Sequence, residues 1–219
     1  MSILFVLLTF LLIITITYFR RRSEVVATQT VQAKAQAPQL TRELGFDIPK
    51  GFAFHPGHAW VLDEGRQNAR VGLDAFASNL LGKIDRIEVT GINRWVRQGQ
   101  KLATITSGDT SIDLLSPIEG VVTSLNYDAI ENPDVITKDP YQTGWICAVK
   151  SPDMATNVKN LIQGALVAPW MQNSVTRVAG MTQQISPALA QDGGVPIKGL
   201  LSKLEPGIRR KLIQEFFLA

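Results

Sequence analysis

The chain has 219 residues, 45% of them apolar, which suffices for one main domain with a buried core plus appendages. Its formal charge of +3 is small, and one localised basic cluster, Arg20-Arg21-Arg22, has no interleaved aromatics, which argues against a nucleic-acid surface. A single cysteine, Cys147, excludes an internal disulfide and any multi-cysteine metal site, and its place in the run Trp145-Ile146-Cys147-Ala148-Val149 predicts a small core residue.

The first element is apolar. Ile3 to Phe19 carries no charge over 17 residues, and as a helix it would reach roughly 25 Å at about 1.5 Å per residue, close to a bilayer's hydrocarbon thickness. A cleaved signal peptide is the rival reading, but such peptides place their positive charge before the apolar run, whereas here three arginines follow it. The Ala35-Gln36-Ala37 triplet mimics a cleavage site far beyond those arginines. The expectation is therefore a retained single-pass transmembrane helix in an inner or cytoplasmic membrane. The arginines and the soluble domain after them would face the cytoplasm. Ser23 to Thr41, rich in Ala, Gln, Thr and Val, reads as a tether. Thr41 to Lys50, with Leu44, Phe46 and Ile48 before Pro49, is expected to add an edge element to the adjoining β domain.

From Gly51 to Pro152 the chain consists of short apolar or alternating runs punctuated by Gly, Pro, Asn and Asp, the grammar of a compact β unit. One helix is expected to interrupt it at Asp74–Leu81, with Asp74 as N-cap and Gly82 closing the last turn. Further on, Leu102–Ile105 and Ile112–Leu115 flank Ser107-Gly108-Asp109-Thr110. A Gly-Asp pair between two β-type runs predicts a tight hairpin with Asp109 exposed at its tip. Asp139-Pro140-Tyr141 predicts a turn that also orders an aromatic.

After Pro152 the pattern turns helical. Asp153 is placed to cap a segment whose Met154, Val158, Leu161, Ile162 and Ala165 share one face. Pro169 suits the first turn of a second helix bearing Met171, Val175 and Val178, with Gly180 closing it. A Gly- and Pro-rich loop from about Thr182 to Gly199 leads to a last helix in which Ile208, Leu212 and Phe216 recur every fourth residue. The expected organisation is an anchor with basic flank (1–22), a tether (23–50), a β domain (51–152) and a helical extension (153–219).

Residues from about Phe54 to Val149 resemble the H protein of the glycine cleavage system, a member of the biotinyl/lipoyl-carrier superfamily. The matching segments come in the family's order: His58-Ala59-Trp60-Val61, Val71-Gly72-Leu73-Asp74, Leu81-Gly82-Lys83-Ile84, Val96-Arg97-Gln98-Gly99, Ser116-Pro117-Ile118-Glu119-Gly120, Asn126, Asp139-Pro140-Tyr141 and Gly144-Trp145-Ile146. The resemblance implies a mainly β barrel-sandwich hybrid of two quasi-equivalent halves, a lipoyl-domain-like fold. It also implies lipoate in amide linkage to a lysine seven residues before the serine of the Ser-Pro-x-x-Gly turn. Counting back from Ser116 lands on Asp109, and the glutamate that the family carries three residues earlier falls on Thr106. A carboxylate cannot do an amine's chemistry.

Catalysis would need convergent groups, and the chain offers His55, His58, one cysteine and scattered carboxylates. The His-x-x-His pair has no third ligand motif, so no metal is assigned, and His58 with Trp60 is expected to fix the first barrel strand. Gly193-Gly194 lacks the Lys-Ser or Lys-Thr of a phosphate loop. The remaining lysines of the domain, Lys83, Lys101, Lys138 and Lys150, are not expected at the tip. The reading that results is a non-catalytic, membrane-anchored interaction or scaffold module without lipoate, beside protein partners that include glycine cleavage-type enzymes. One alternative is a genuine lipoyl and aminomethyl carrier with non-standard loading, the only case in which lipoate is the cofactor. A second is a membrane transporter adaptor, disfavoured because the barrel halves are joined by a short turn rather than by a long helical hairpin.

Overall fold

The computed structural model describes residues 11, 12, 15, 40–43, 45–183 and 198–218, and the chain divides into a unit Met1–Ala37 and a unit Pro38–Ala219. In the first unit Leu11, Leu12 and Thr15 are helical, and the Thr15 hydroxyl donates to the carbonyls of Leu11 and Leu12, each at 2.9 Å. Among the described residues no helix is long and apolar enough to cross a membrane. The rest of the expected anchor, Arg20-Arg21-Arg22, the 35–37 triplet and Gly193-Gly194 lie outside the described residues.

The second unit is mainly β with helices at its carboxy-terminal end. A hairpin of β1 (Leu40–Glu43) and β2 (Phe46–Pro49) forms a sheet of its own. It replaces the expected sheet edge and lies within the stretch read as tether. The reason is apolar: Phe46 and Ile48 are buried, and the Phe46 ring meets Phe76 edge-on at 6.0 Å.

The strands after this hairpin are β3 (Phe52–Phe54), β4 (Ala59–Gly65), β5 (Asn68–Leu73), β6 (Arg86–Val89), β7 (Trp95–Val96), β8 (Lys101–Ser107), β9 (Thr110–Leu115), β10 (Gly120–Leu125), β11 (Trp145–Lys150) and β12 (Ile162–Gln163). A seven-stranded sheet runs β12-β3-β4-β5-β11-β10-β7 and a three-stranded one β6-β8-β9. Strand alternation explains why the larger sheet is covered on both faces at its centre. Trp60 and Leu73 feed one apolar cluster, which also holds Ile105, Ile112 and Leu114 of the hairpin. Val61, Val71, Cys147 and Val149 feed a second cluster, together with Leu102 of β8.

Helix α1 (Ala75–Leu81) forms as its sequence dictates: the Asp74 carboxylate accepts from the Ala77 amide at 2.8 Å, and Gly82 ends it at φ 73°. Two short helices that periodicity did not reveal, α2 (Tyr127–Glu131) and α3 (Asp134–Lys138), lie between β10 and β11. Each is barely one turn, too short for an apolar stripe to register. Asp139 builds the expected turn, its carboxylate accepting from the amides of Gln142 and Thr143 at 3.1 and 3.0 Å, and Tyr141 beside it is buried.

The extension departs from its expected outline in three places. The first predicted helix stops early, as α4 (Met154–Lys159): Ile162 and Gln163 instead pair with Phe54 and Ala53 as β12, and Gly164 takes φ 59° before a 3-10 turn at Gly164–Leu166. An edge strand's backbone hydrogen bonds here outweigh a helical pattern of isolated apolar residues. Helix α5 (Val167–Gln183) buries Met171, Val175 and Val178 as predicted but runs past Gly180. A short α6 (Leu200–Lys203) then precedes α7 (Pro206–Phe217), whose Leu212, Phe216 and Phe217 are buried. These helices share the main cluster with Trp60, Phe76 and Ile105, so they belong to the domain's core.

Candidate functional site

The β8–β9 strands extend right up to a two-residue turn, with Ser107 paired to Thr110. Gly108 has φ 58° at the first central position, as a type II′ turn requires, and Asp109 comes next at the apex. Ser107 is anchored by its hydroxyl, which donates to the Leu81 carbonyl at 3.1 Å, and the Gly108 amide donates to the Asp85 carboxylate at 2.7 Å. That amide is the main reason the Asp85 carboxyl lies below its ordinary range, with Lys83 contributing second. The turn is thus tied to its neighbours through Ser107 and Gly108, and the Asp109 side chain is 75% exposed.

Exposed is not unpartnered. Arg209, in the first turn of α7, donates through one guanidinium nitrogen to the Asp109 carboxylate and, at 2.8 Å, to the Thr110 hydroxyl. Its other terminal nitrogen meets the Leu204 carbonyl at 3.4 Å. The guanidinium hydrogen bond holds the Asp109 carboxyl below its ordinary range. Arg209 itself is only 12% exposed, because α6 and α7 are pinned to α1. The Gly199 amide donates to the Asn79 carbonyl at 2.8 Å, and a methyl group placed on Gly82 would lie 2.6 Å from the Gly199 Cα, so only glycine permits that backbone approach. At the other end of α7, Arg177 of α5 pairs with Glu215 and lies 5.4 Å over the Phe216 ring.

His55 and His58 take different hydrogen-bond partners. His58 sits at φ 62° before β4, fully buried, with Nδ1 2.7 Å from the Asp74 carboxylate and its ring stacked between Phe76 and Trp170 at 4.5 and 4.7 Å. His55 instead accepts the Gly57 amide at 3.0 Å, and burial lowers its pKa from the ordinary 6.5. Among the described residues no three metal-ligating side chains gather. Trp60 is fixed by donating from its indole to the carbonyls of Leu73 and Pro140, at 3.0 and 3.1 Å. Cys147 is wholly buried, and burial pushes its thiol up to about 12.

None of the domain's lysines Lys83, Lys101, Lys138 and Lys150 occupies the apex itself. Lys83 pairs with Asp85 at 3.2 Å, beside the turn; Lys101 pairs with Asp113 at 2.8 Å on the hairpin strands; Lys150 ends β11. Lys138 lines a cavity of about 230 Å³ whose walls include Asp47, Ser78, Tyr141 and Lys198. Lipoate attachment needs a free amine on the tight turn. A carboxylate held by a guanidinium does not fit it. Sequence reasoning singled out Ser107, Gly108, Asp109 and Thr110, and the structure brings these four together at the apex. It missed Arg209 and Asp85, which lie 100 and 23 residues away in sequence from the groups they hold and carry no motif.

The model of the glycine cleavage H-protein family matches residues 52–174. The chain belongs to the glycine cleavage H-protein family. Its relatives include the glycine cleavage system H protein of Thermus thermophilus, 32% identical over 108 residues that cover 49% of this chain and 84% of the relative. The namesake from Pseudoalteromonas atlantica is 29% identical over 129 residues, covering 59% of this chain and 96% of the relative. A crystal structure of the H protein from Mycobacterium marinum aligns with a TM-score of 0.45 at 25% identity, covering 48% of this chain and 87% of that one. Arg209 and the whole of α6 and α7 lie beyond the family match.

Proposed function

We propose that this H-type domain is not loaded with lipoate and acts as a non-catalytic interaction module, tethered to an inner or cytoplasmic membrane by its apolar amino-terminal segment. The single observation that carries the reading is the apex itself: an acid stands where the family's attachment residue falls, and a helix of the chain's own extension holds it. The partners that fit are proteins able to read a carrier-type hairpin, glycine cleavage-type enzymes among them, without receiving a group from it. The basic flank at Arg20-Arg21-Arg22 favours a cytoplasmic position for the domain. In this organisation residues 1–22 anchor, the adjoining stretch tethers, the β unit presents the hairpin, and the extension from 153 secures it.

Intact-mass spectrometry of the protein purified from its native host tests the reading. The mass expected is that of the chain without a lipoyl adduct. An adduct on any lysine, including Lys83 beside the turn, would return the protein to the carrier role.

A further inference from the structure

Among the described residues, two of the large apolar side chains left in solvent lie three residues apart: Ile92 is 41% exposed and Trp95 49%. Ile92 sits in the turn before β7 and Trp95 opens β7, the edge of the seven-stranded sheet. Local geometry explains why neither folds back onto the core. The Arg94 amide closes a turn onto the Gly91 carbonyl at 3.3 Å, and Asn93, at φ 65°, supplies the left-handed third residue that a type II turn demands. That turn is clamped to the sheet: the Asn93 amide donates to the Val122 carbonyl at 2.8 Å, and the Val122 amide to the Arg94 carbonyl at 2.9 Å. Ile92 therefore occupies a turn corner and Trp95 the strand beside it, both held outward by backbone hydrogen bonds.

The surroundings are basic. Arg94 and Arg97 are exposed, and among the described residues neither has an acidic group in ion-pair contact. Strand register continues the row, since Trp95 is paired with Val121 and Val121 with the exposed Lys150. A projecting corner with an indole, an aliphatic tip and unpaired guanidinium groups has the chemistry that settles into lipid headgroups: amphipathic rings at the interface, cations on phosphates.

We propose that the Ile92–Arg97 edge is a lipid-facing surface that rests on an anionic bilayer. This rests on the membrane-tethered reading. A domain so tethered meets the membrane surface at high effective concentration, so a small patch suffices to set its orientation.

The test uses the full chain, reconstituted into vesicles of phosphatidylcholine alone or mixed equally with phosphatidylglycerol, each with plain or brominated acyl chains. Trp95 emission is the difference between the wild type and Trp95→Phe. Bromination is expected to remove most of that emission on the anionic vesicles and little of it on phosphatidylcholine alone, and Arg94→Glu/Arg97→Glu should abolish the quenching. Unquenched Trp95 on anionic vesicles overturns the proposal, as does protection of Trp95 only by an added acidic polypeptide such as polyglutamate, which would assign the edge to a protein. Alkaline carbonate extraction of the same vesicles reports on the tether separately. A chain that is extracted, yet is quenched at Trp95 before extraction, keeps the lipid-facing edge and loses the tether.

Discussion

Truncating Phe217 to alanine measures whether the extension is part of the domain or merely lies on it. The ring is fully buried in the last turn of α7, with its centroid 6.4 Å from that of the His58 ring, and the surrounding cluster includes Trp60 and Phe76. Removing a phenyl group from such a site leaves a cavity that close-packed neighbours only partly fill, at a cost of about 4 kcal/mol. With a urea m-value of roughly 2 kcal/mol/M for a domain of this size, the unfolding midpoint should fall by about 2 M. The Arg209→Ala control should leave that midpoint almost in place, because the Asp109 end of its ion pair is 75% exposed and water screens it. Urea titrations followed by tryptophan fluorescence compare the two. If Phe217→Ala moved the midpoint by less than about 0.5 M, equivalent to roughly 1 kcal/mol, α7 would not be a core element and the hold on the hairpin apex would lose its physical basis.

Four further outcomes are expected. Replacing Asp109 by lysine sets an amine against the Arg209 guanidinium, and combining it with Arg209→Ala frees that amine at the apex. The double variant should gain a lipoyl mass from a lipoate ligase, and a double variant left unmodified beside a loaded authentic H protein would show that the turn is not read as a carrier tip. The Asp109 carboxyl, held below its ordinary 3.8 by Arg209, lends stability that is complete above that value and is lost as pH falls through the lower folded value; carbon-13 NMR of the carboxyl should show the pKa rising again in Arg209→Ala. Asp74→Ala removes both the cap on Ala77 and the partner of buried His58, which should cost roughly 3 kcal/mol by denaturant titration, and a loss no larger than that of an exposed cap would mean that the His58 contact is idle. Cys147, with its thiol pushed up to about 12, should resist maleimide labelling in the folded protein and react only once urea unfolds it.

Features that depend on neighbours in the chain were legible before any coordinates. The Gly108-Asp109 turn, the Asp74 cap and the Asp139 turn each need only a few residues and a backbone preference. The same holds for the buried stripe of α5, where Met171, Val175 and Val178 repeat at helical spacing. The pattern failed where long-range pairing competed with it, as at Ile162 and Gln163, which a helical reading absorbed and an edge strand claimed. It also failed at α2 and α3, which are too short to show a period.

The sequence by itself therefore determined the carrier-type β domain and the chemical identity of its apex, because turn geometry and side-chain chemistry are local properties. Only the tertiary structure decided that Asp109 has a partner. Arg209 reaches it through a chain of contacts no spacing encodes: the Gly82 and Gly199 backbones in close approach, Leu204, Leu212 and Phe217 seated in the core, and a helix whose first turn consequently ends beside the hairpin. Such placement is the sum of many apolar burials distributed over the chain, each non-directional alone and specific only when they pack together.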